Sequence, residues 1–446
     1  MIHVYSNALT QEKTIRQTNH SLHDTYSPNS SHRPASGEPQ PIHGRRPPRG
    51  ATGKGTMKTN VVEISGACRL GIHASERRSF TEYHLTATVA DGLGAGAAAV
   101  ELFEQVASAV ARLGIQPVSE KLYGLTSVRG QVLKQRDIVY RLRGLDRTMP
   151  VSWIQGSPVG DCAFAGLQLW GVAPMDGEKC VATVEDPATG RGRSWSGRGF
   201  RMLHLPCIRG TSADGSLAAG ATGQAARMFA NAGSGLAAHG MRYTDVVRTW
   251  IYSARLLDWY DDLNRVRTPL YRREGLGVPG GPAFPASTGI MGRYDDEECV
   301  MDVLALESSG PAAAAAIPIL HSPRQSSSFD YGSAFSRGMA LEIEGRRTVH
   351  ISGTASINAA GKSTHVGDAE HQSLDTLMSI GAILEEQGGG LQSITSATLF
   401  CRNREAWEAW ETATRRLTIP AIPKVCVLAD VCRHDLLVEM EAVAVI

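Results

Sequence analysis

Residues 372–388 have the sequence QSLDTLMSIGAILEEQG, which predicts an amphipathic helix with a glycine cap at Gly388. The apolar face of this helix is expected to consist of Leu374, Leu377, Met378, Gly381 and Leu384. The next segment, SITSATLFC, predicts a strand that ends near Phe400. A second helix is predicted from REAWEAWETATRRL, and two closing strands are predicted from VCVLADV and LLVEMEAVAVI. The C-terminal part of the chain therefore predicts a unit of mixed helices and strands.

The segment 224–240, QAARMFANAGSGLAAHG, repeats this pattern. In both segments a Gly follows the first Gln by sixteen residues, and a strand ends twelve residues after that Gly, at Tyr252 and at Phe400. A tryptophan follows seven residues later, at Trp259 and at Trp407, and both segments then reach a Pro-Ala pair and a closing apolar strand. This spacing predicts two copies of one structural unit.

A fainter third copy lies upstream, where AVELFEQVASAVARLG ends at Gly114 and is followed by the strand AGLQLWGVA. Each copy begins with strand and turn sequence: VVEISGACRLGI, FRMLHLPCIRGTSADG and RTVHISGTASINAAG. We expect an α+β fold of three tandem units that cover one another around a pseudo-threefold axis, so that a monomer imitates a trimer. The expected domains are a disordered extension 1–57, a degenerate first unit 58–195, a second unit 196–320 and a third unit 321–446.

Composition excludes several classes of protein. The 446 residues contain 45 Lys and Arg against 44 Asp and Glu, so the formal net charge of +1 gives no broad basic surface for nucleic acid. No apolar run reaches the roughly 18 residues of a membrane-spanning helix. The eight cysteines stand singly without a CxxC pair, which favours a reduced, cytoplasmic setting and argues against zinc ribbons and disulfide scaffolds.

The last copy, from VHISGTASINAAG to LLVEMEAVAV, resembles the RidA/YjgF family, whose trimers place ligand pockets at subunit interfaces. From about residue 58 onward, the segments FPASTGIMG, SPRQSSSFDYGSAFSRG and VCRHDLLVEMEA resemble more narrowly those of the chorismatases. The resemblance implies a pseudo-trimer of RidA/YjgF-like (chorismate-mutase-like) units that acts on chorismate and releases pyruvate. It implies no cofactor, no metal, and no nucleic-acid or membrane partner.

Glu439 is the candidate proton donor. Loss of pyruvate from the enol ether of chorismate requires protonation of the methylene carbon, and Glu439 lies in the closing strand among apolar neighbours, where a carboxyl group stays protonated unless it is paired. The resemblance places the acidic residue of the family at this position. The alternative is that Glu439 and Glu441 face solvent on an edge strand.

Cys432 and Gly289 are the candidate determinants of the product. Cys432 could act as a nucleophile with a nearby base. We favour the interpretation that it is a small, polarizable side chain that shapes the pocket wall. The resemblance implies that these two positions distinguish chorismatase subtypes, and the pair Cys432 and Gly289 is similar to the 3-hydroxybenzoate-forming pattern. The alternatives are hydrolysis of chorismate to a dihydroxycyclohexadiene carboxylate and RidA-like enamine or imine deamination.

Further substrate-binding residues follow from the resemblance. Ser352 and Gly353 are expected to form a turn whose backbone N–H groups receive a carboxylate. Planar guanidinium groups suit the two carboxylates of chorismate. Arg324 and Arg337 are the main candidates for this role, and Arg293 and Arg402 are weaker ones. The predicted aromatic and cationic residues are Tyr252, Tyr260, Tyr331, Arg324 and Arg337.

One feature favours chorismate over the substrates of RidA-like deaminases, and another argues against a metal site. RidA-like deaminases carry an Arg directly after the Pro-Ala pair, whereas this chain has Ser287 and Ile422 there. The stretch HVGDAEH offers possible metal ligands, but Asp368 is more simply expected to cap a helix. A non-catalytic protein that binds an aromatic or keto acid remains the alternative outside enzyme chemistry.

Overall fold

Three mixed β-sheets organise the chain, and each is covered on one face by a pair of helices. The computed structural model describes residues 59–65, 68–292, 296–309 and 314–446. The predicted extension 1–57 and the candidate Arg293 lie outside these residues.

The first unit runs from β1 to β7. Its strands and helices are β1 (Thr59–Ser65), β2 (Cys68–Glu76), β3 (Phe80–Val89), α1 (Ala95–Leu113), β4 (Gln116–Gly124), α2 (Thr126–Leu142), β5 (Ser152–Gln155), β6 (Ser157–Pro158) and β7 (Phe164–Pro174). The strand order in its sheet is β1-β2-β3-β7-β4-β5, and only the β4/β5 pair is parallel.

The second unit has the same sequence of elements without an equivalent of β6. Its elements are β8 (Val181–Asp186), β9 (Gly190–Gly197), β10 (Phe200–Arg209), α3 (Gly220–Ala238), β11 (Val246–Ser253), α4 (Leu256–Arg273), β12 (Ala286–Met291) and β13 (Cys299–Ser308). The strand order is β8-β9-β10-β13-β11-β12, with β11 and β12 parallel.

The third unit repeats this order again. Its elements are β14 (Ala315–Ile319), β15 (Gly338–Ile343), β16 (Arg346–Ala355), α5 (Ala369–Glu386), β17 (Ile394–Cys401), α6 (Arg404–Arg416), β18 (Lys424–Leu428) and β19 (Val438–Val445). The sheet runs β14-β15-β16-β19-β17-β18 and then continues into β6 of the first unit. Three units of one topology are therefore present, as the sequence spacing predicts.

Short 3₁₀ helices connect these elements at Tyr243–Asp245, Ser328–Tyr331 and Leu391–Ser393. Helix α5 begins at Asp368, whose carboxylate accepts the backbone N–H of His371 at 3.0 Å. The capping interpretation of Asp368 is thus confirmed. Within the described residues, no cluster of three or more potential ligands is arranged to hold a metal, and no helix is long and apolar enough to cross a bilayer.

Each unit has its own helix-covered core, and a fourth apolar core is shared by all three. The shared core includes Phe80 and Tyr123 of the first unit, Tyr252 of the second, and Met339 and Phe400 of the third. Successive side chains of a strand point to opposite faces of the sheet. Every second side chain therefore points away from the helices and packs against the other units. The helix-free faces of the three sheets therefore bury one another.

The structure differs from the sequence expectations at unit boundaries and on one helix face. The expected boundary at residue 195 falls inside β9, and β8 and β9 pair with the second sheet. The expected boundary at residue 320 follows β14, which pairs with the third sheet. Met378 was expected on the buried face of α5 but is 55% exposed, because that face is formed by Leu377, Ile380, Ile383 and Leu384.

Candidate active site

A pocket lies between the second and third units. Strand β12 and helix α4 contribute its wall on one side, and β16, β19 and the segments before β15 and β19 contribute the other. Seven of its lining residues were predicted from the sequence: Tyr260, Gly289, Tyr331, Arg337, Gly353, Cys432 and Glu439. The remaining lining residues are Arg267, Ser287, Ser333, Phe335, Ala355, Ile357 and Arg433.

Glu439 is positioned by its strand, which is hydrogen-bonded on both sides within the third sheet. In β19 it lies opposite Ala355 of β16 and Phe400 of β17. The register of β16 shifts between Ile351 and Thr354, so Gly353 lies at an irregularity beside the carboxyl group. A Cβ atom at position 353 would overlap Glu439 Oε1, so a larger residue requires the carboxyl group to move, whereas glycine leaves it in place.

The electrostatic setting keeps the proton on Glu439. The residue is only 4% exposed, and burial, followed by the nearby Glu441 carboxylate, raises the pKa of Glu439 to about 8. The guanidinium groups of Arg248 and Arg433 act in the opposite direction but do not outweigh burial. No hydrogen bond or ion pair holds the Glu439 carboxyl group among the described residues, so it faces the pocket as a free acid at neutral pH.

Three guanidinium groups line the pocket without an ion pair to any carboxylate of the described residues. Arg267 is 1% exposed; its Nη2 donates to Asn264 Oδ1 at 2.6 Å, while its Nε has no partner among these residues. Arg337 donates from Nε and Nη2 to the Ser326 carbonyl at 3.1 and 3.0 Å. Arg433 donates from Nη1 to the Gly361 carbonyl at 2.7 Å.

Tyr331 lies between two of these cations. The guanidinium carbons of Arg337 and Arg433 are 5.4 and 5.5 Å from the centroid of its ring, within the range of cation–π attraction. Burial raises the pKa of Tyr260 to about 12, so its hydroxyl stays protonated. The pocket therefore combines three cations with neutral acids.

Cys432 is a neutral thiol in this pocket. Burial, followed by the Glu439 carboxyl group, raises the pKa of Cys432 to about 12. Because the thiolate is the nucleophilic form, this setting disfavours covalent catalysis and favours a role in the pocket wall.

Four sequence candidates lie outside the pocket. Tyr252 points into the shared core, and Arg324 pairs with Asp375 on a partly exposed surface. Arg402 pairs with Asp430 at 3.3 Å. The hydroxyl of Ser352 is fully buried, accepting the Ser287 N–H at 2.9 Å and donating to the Ser336 carbonyl at 2.6 Å.

The expected backbone donors for a carboxylate are already engaged. The Ser352 N–H donates to the Arg337 carbonyl at 3.0 Å. The Gly353 N–H donates to Thr288 Oγ1 of the second unit at 3.1 Å. The Gly353 N–H therefore joins the third unit to the second, and the Ser352 N–H is engaged within the third unit. The guanidinium groups that lack carboxylate partners among the described residues are better placed to receive a carboxylate.

Arg267 and Arg433 were not predicted, although the sequence carries a signal for each. Arg267 follows Tyr260 by seven residues, which is two turns along the same face of α4. Arg433 directly follows Cys432. The arrangement can bind a dianion between guanidinium groups and deliver a proton from Glu439 to it.

Comparison with protein families gives one match, over part of the chain. Residues 332–446 match the family model described as Endoribonuclease L-PSP. This region begins before β15 and includes Arg337, Gly353, Cys432 and Glu439. It corresponds to most of the third unit.

One of the matching solved structures shows a similar fold over most of the chain. A crystal structure of a chorismatase matches with a TM-score of 0.52 and 18% identity, covering 74% of this chain and 92% of that chain. A putative endoribonuclease L-PSP from Entamoeba histolytica matches with a TM-score of 0.25 and 18% identity, covering 30% of this chain and 100% of that chain. The YjgF gene product of E. coli matches with a TM-score of 0.21 and 21% identity, over 25% and 86% of the two chains.

Proposed function

We propose that this protein is a chorismatase that converts chorismate to 3-hydroxybenzoate and pyruvate. The observation that carries this proposal is a protonated Glu439 in a pocket with three guanidinium groups that lack carboxylate partners among the described residues. An enol ether with two carboxylates is complementary to this set of groups. The shared fold with a chorismatase supports the same substrate.

Glu439 acts as the general acid. Its proton is transferred to the methylene carbon of the enolpyruvyl group, which becomes the methyl group of pyruvate. The oxygen of the ring hydroxyl bonds to the carbon that carries the enolpyruvyl group as the bond between that carbon and the ether oxygen breaks, which leaves an epoxide on the ring. The bond from the epoxide oxygen to its original carbon then breaks, and loss of the hydrogen from the other epoxide carbon gives the aromatic phenol. The hydroxyl proton and the ring proton are released and one proton returns to the oxygen, so one proton in total is left to restore Glu439. The atoms of 3-hydroxybenzoate and pyruvate together are those of chorismate, so the reaction balances without addition of water.

The guanidinium groups orient the substrate. Arg267 enters from α4 of the second unit, and Arg337 and Arg433 enter from the third unit, so the cations reach the pocket from two sides. Two carboxylates bound in this way fix the enolpyruvyl group relative to Glu439, because charged hydrogen bonds give direction as well as energy.

Gly289 and Cys432 support the 3-hydroxybenzoate subtype. A Cβ at position 289 would lie 3.5 Å from Tyr260 Cε2, in ordinary van der Waals contact, so a larger residue is sterically possible there and glycine leaves space for the ring. The neutral Cys432 thiol adds a small wall without supplying a nucleophile. Both residues therefore act on the position of the ring.

Substrate entry requires the pocket to open. As it stands, the cavity volume is about 40 Å³, which is room for about three water molecules at roughly 10–15 Å³ each. Chorismate is larger. Tyr331, Ser333 and Phe335 lie in the segment between β14 and β15, ahead of Ser336, which pairs with Ala286. Displacement of the part before Ser336 would widen the pocket without breaking a sheet.

The three units are proposed to pack as a pseudo-trimer with the reaction at one inter-unit pocket. The identical strand order of the three sheets and their common core support this arrangement. In the first sheet, β7 corresponds to β19 and β3 to β16. The position of Glu439 is occupied there by Gly166, which lies opposite Thr88, so the first unit has no acidic residue at this place.

The test is an assay of the purified protein with chorismate, without metal or cofactor. Pyruvate is followed by a coupled assay, and the ring product by chromatography against 3-hydroxybenzoate and the dihydroxycyclohexadiene carboxylate. We expect pyruvate and 3-hydroxybenzoate in equal amounts. Pyruvate with the diene product would keep the chorismatase and reject the subtype, and absence of pyruvate would reject the proposal.

Glu439→Gln is the decisive variant. It keeps the shape of the side chain but cannot donate the proton, and a general acid contributes roughly 10²- to 10⁴-fold in rate. We expect pyruvate release to fall by at least about 100-fold, with an unchanged circular dichroism spectrum. Glu408→Gln, on the exposed face of α6, is the matched control. Near-normal turnover of Glu439→Gln would show that Glu439 is not the general acid.

A further inference from the structure

A second cavity, here called the central chamber, lies in the core where the three units meet. Each unit contributes one histidine at the fifth residue of an equivalent strand: His84 of β3, His204 of β10 and His350 of β16. All three are buried. The Glu439 pocket has no lining residue in common with this chamber.

The histidines are neutral and incompletely hydrogen-bonded. Burial lowers the pKa of His204 to about 4 and that of His350 to about 3, and also lowers the pKa of His84. At least one ring nitrogen of each has no hydrogen-bond partner within the described residues. A neutral imidazole carries one N–H donor, so the three rings offer directional polar groups that need a partner.

Lys121 contributes a buried positive charge to the same chamber. Its ammonium nitrogen lies 3.6 Å from the centroid of the Trp250 ring but forms no hydrogen bond or ion pair with the described residues. The nearby Glu441 carboxylate is bound by Arg248 at 2.7 Å. Burial of an ammonium group without a direct counter-ion is unfavourable, so a negative ligand would stabilise it.

The size of the chamber limits its ligand. Its cavity volume is about 70 Å³, which corresponds to about five water molecules at roughly 10–15 Å³ each. The half-buried side chains of Ser119 and Ser396 are also in the wall and supply hydroxyl donors. A compact group with several acceptor oxygens fits this space.

We propose that the central chamber binds one small oxyanion, a carboxylate or inorganic phosphate, with Lys121 as its counter-charge and the three histidines and nearby hydroxyls as hydrogen-bond donors. The site is separate from the proposed catalysis. Because the ligand contacts all three units, its binding stabilises their assembly, and the melting temperature rises with anion concentration.

The experiment follows the ring signals of the histidines by nuclear magnetic resonance in the full chain. Sodium acetate and inorganic phosphate are titrated separately at constant ionic strength, in a buffer with neither ion. We expect the signals of His84, His204 and His350 to shift together and to saturate. The two titrations separate the sources of the anion, since the one with the lower dissociation constant is the better match.

Variants locate the binding. Lys121→Met should weaken binding at least tenfold, whereas Lys134→Met, on the exposed face of α2, should leave it unchanged. Arg267→Met weakens anion binding by the Glu439 pocket and should not alter the histidine shifts. Because no substrate is used, the result does not depend on whether the protein acts on chorismate.

Two outcomes would overturn the proposal. One is the absence of saturable histidine shifts with both anions in the unmodified chain, a result that stands even if Lys121→Met fails to fold. The other is equal anion affinity of the folded Lys121→Met variant and the unmodified chain.

Discussion

Glu439 owes its protonation to its position on β19. Glu441 lies two residues away on the same face of the strand, and its carboxylate favours the neutral form of Glu439. Arg248, which binds Glu441, limits this effect. The pKa of Glu439 is thus raised by burial and by the carboxylate of a neighbouring ion pair, and none of the described residues donates a hydrogen bond to it.

The pKa of about 8 predicts how activity depends on pH. The reaction needs the protonated acid, so the pyruvate-releasing rate at low substrate concentration should be flat between pH 6 and 7 and fall about tenfold per unit well above pH 8. A pH–rate profile measures this directly. A rate that rises through pH 8 would mean that Glu439 acts as a base.

The same shift predicts that stability also falls as the pH rises, but over a lower pH range than activity. The pKa of a glutamate is about 4.3 in an unfolded chain and about 8 here, so the native state holds a proton that the unfolded chain loses in between. The stability contributed by this proton is complete below about pH 4 and is lost as the pH rises to about 8. Glu439→Gln should therefore gain stability relative to the unmodified chain between these values in urea unfolding.

Arg267 tests the assignment of the cations. Loss of one charged hydrogen bond to a substrate carboxylate costs about 1.5–3 kcal/mol, so Arg267→Met should raise the KM for chorismate by about 10- to 100-fold. Steady-state kinetics measures the effect. Arg324→Met is the matched control, because Arg324 pairs with Asp375 outside the pocket. A larger effect of Arg324→Met than of Arg267→Met would mean that Arg324, as proposed from the sequence, binds the substrate carboxylate.

At the scale of single elements, two strands present glycines to the pocket with different steric demands. At Gly353 of β16, a Cβ would overlap Glu439 Oε1 and lie 3.1 Å from its Cδ. At Gly289 of β12, a Cβ would have only an ordinary contact with Tyr260. The first glycine lets the Glu439 carboxyl group keep its position, and the second leaves open space.

Alanine substitutions separate these roles. Gly353→Ala should displace the carboxyl group and reduce pyruvate release by about 100-fold, since a shift of about 1 Å in a reacting group has an effect of this order. Gly289→Ala should keep the rate within a few-fold and change the ratio of ring products, measured by chromatography. A fully active Gly353→Ala variant would show that the bulge of β16 does not position Glu439.

The elements themselves could be predicted from local spacing. The period of apolar residues and the caps predicted α5 over 372–388 and the strand ending near Phe400, and the structure has Ala369–Glu386 and Ile394–Cys401. Strands β8 and β9 were assigned to the first unit because pairing between distant strands leaves no local signal. Local pattern identifies an element, whereas its sheet is decided by contacts far along the chain.

The site shows the same limit. Glu439 and Cys432 could be proposed from a short closing segment, but Arg267 comes from α4, more than 160 residues earlier in the chain. Arg324 was proposed because it lies in a motif, and the structure pairs it with a carboxylate instead, whereas Arg267 was not among the sequence candidates. Which arginine remains free depends on the packing of two units, which sequence spacing does not contain.

For the whole molecule, equivalent strands place equivalent residues in successive layers of the shared core. One layer is formed by Ser119, Arg248 and Ser396, the next by Lys121, Trp250 and Thr398, and the last by Tyr123, Tyr252 and Phe400. The repeats have diverged most in the second layer, where a cation, an indole and a hydroxyl occupy the same position. The backbone topology is repeated while the chemistry of the interior is not.

The ion pair between Arg248 and Glu441 joins the second unit to the third in this core. Arg248 Nη2 donates to Glu441 Oε2 at 2.7 Å and to Thr288 Oγ1 at 2.6 Å, and both charged side chains are buried. Removal of one partner leaves the other charge unpaired, so Arg248→Met or Glu441→Gln should each lower the free energy of unfolding by about 3–5 kcal/mol.

Replacement of both charges distinguishes pairing from packing. In Arg248→Met/Glu441→Met no buried charge is left unpaired, and the loss of stability should be much smaller than the sum of the two single losses. Urea unfolding with a double-mutant cycle measures the coupling, and Arg255→Met/Glu298→Gln, a pair of an exposed and a half-buried side chain within the second unit, is the control. Additive losses at Arg248 and Glu441 would mean that each side chain stabilises the core independently, and that the charges do not hold the two units together.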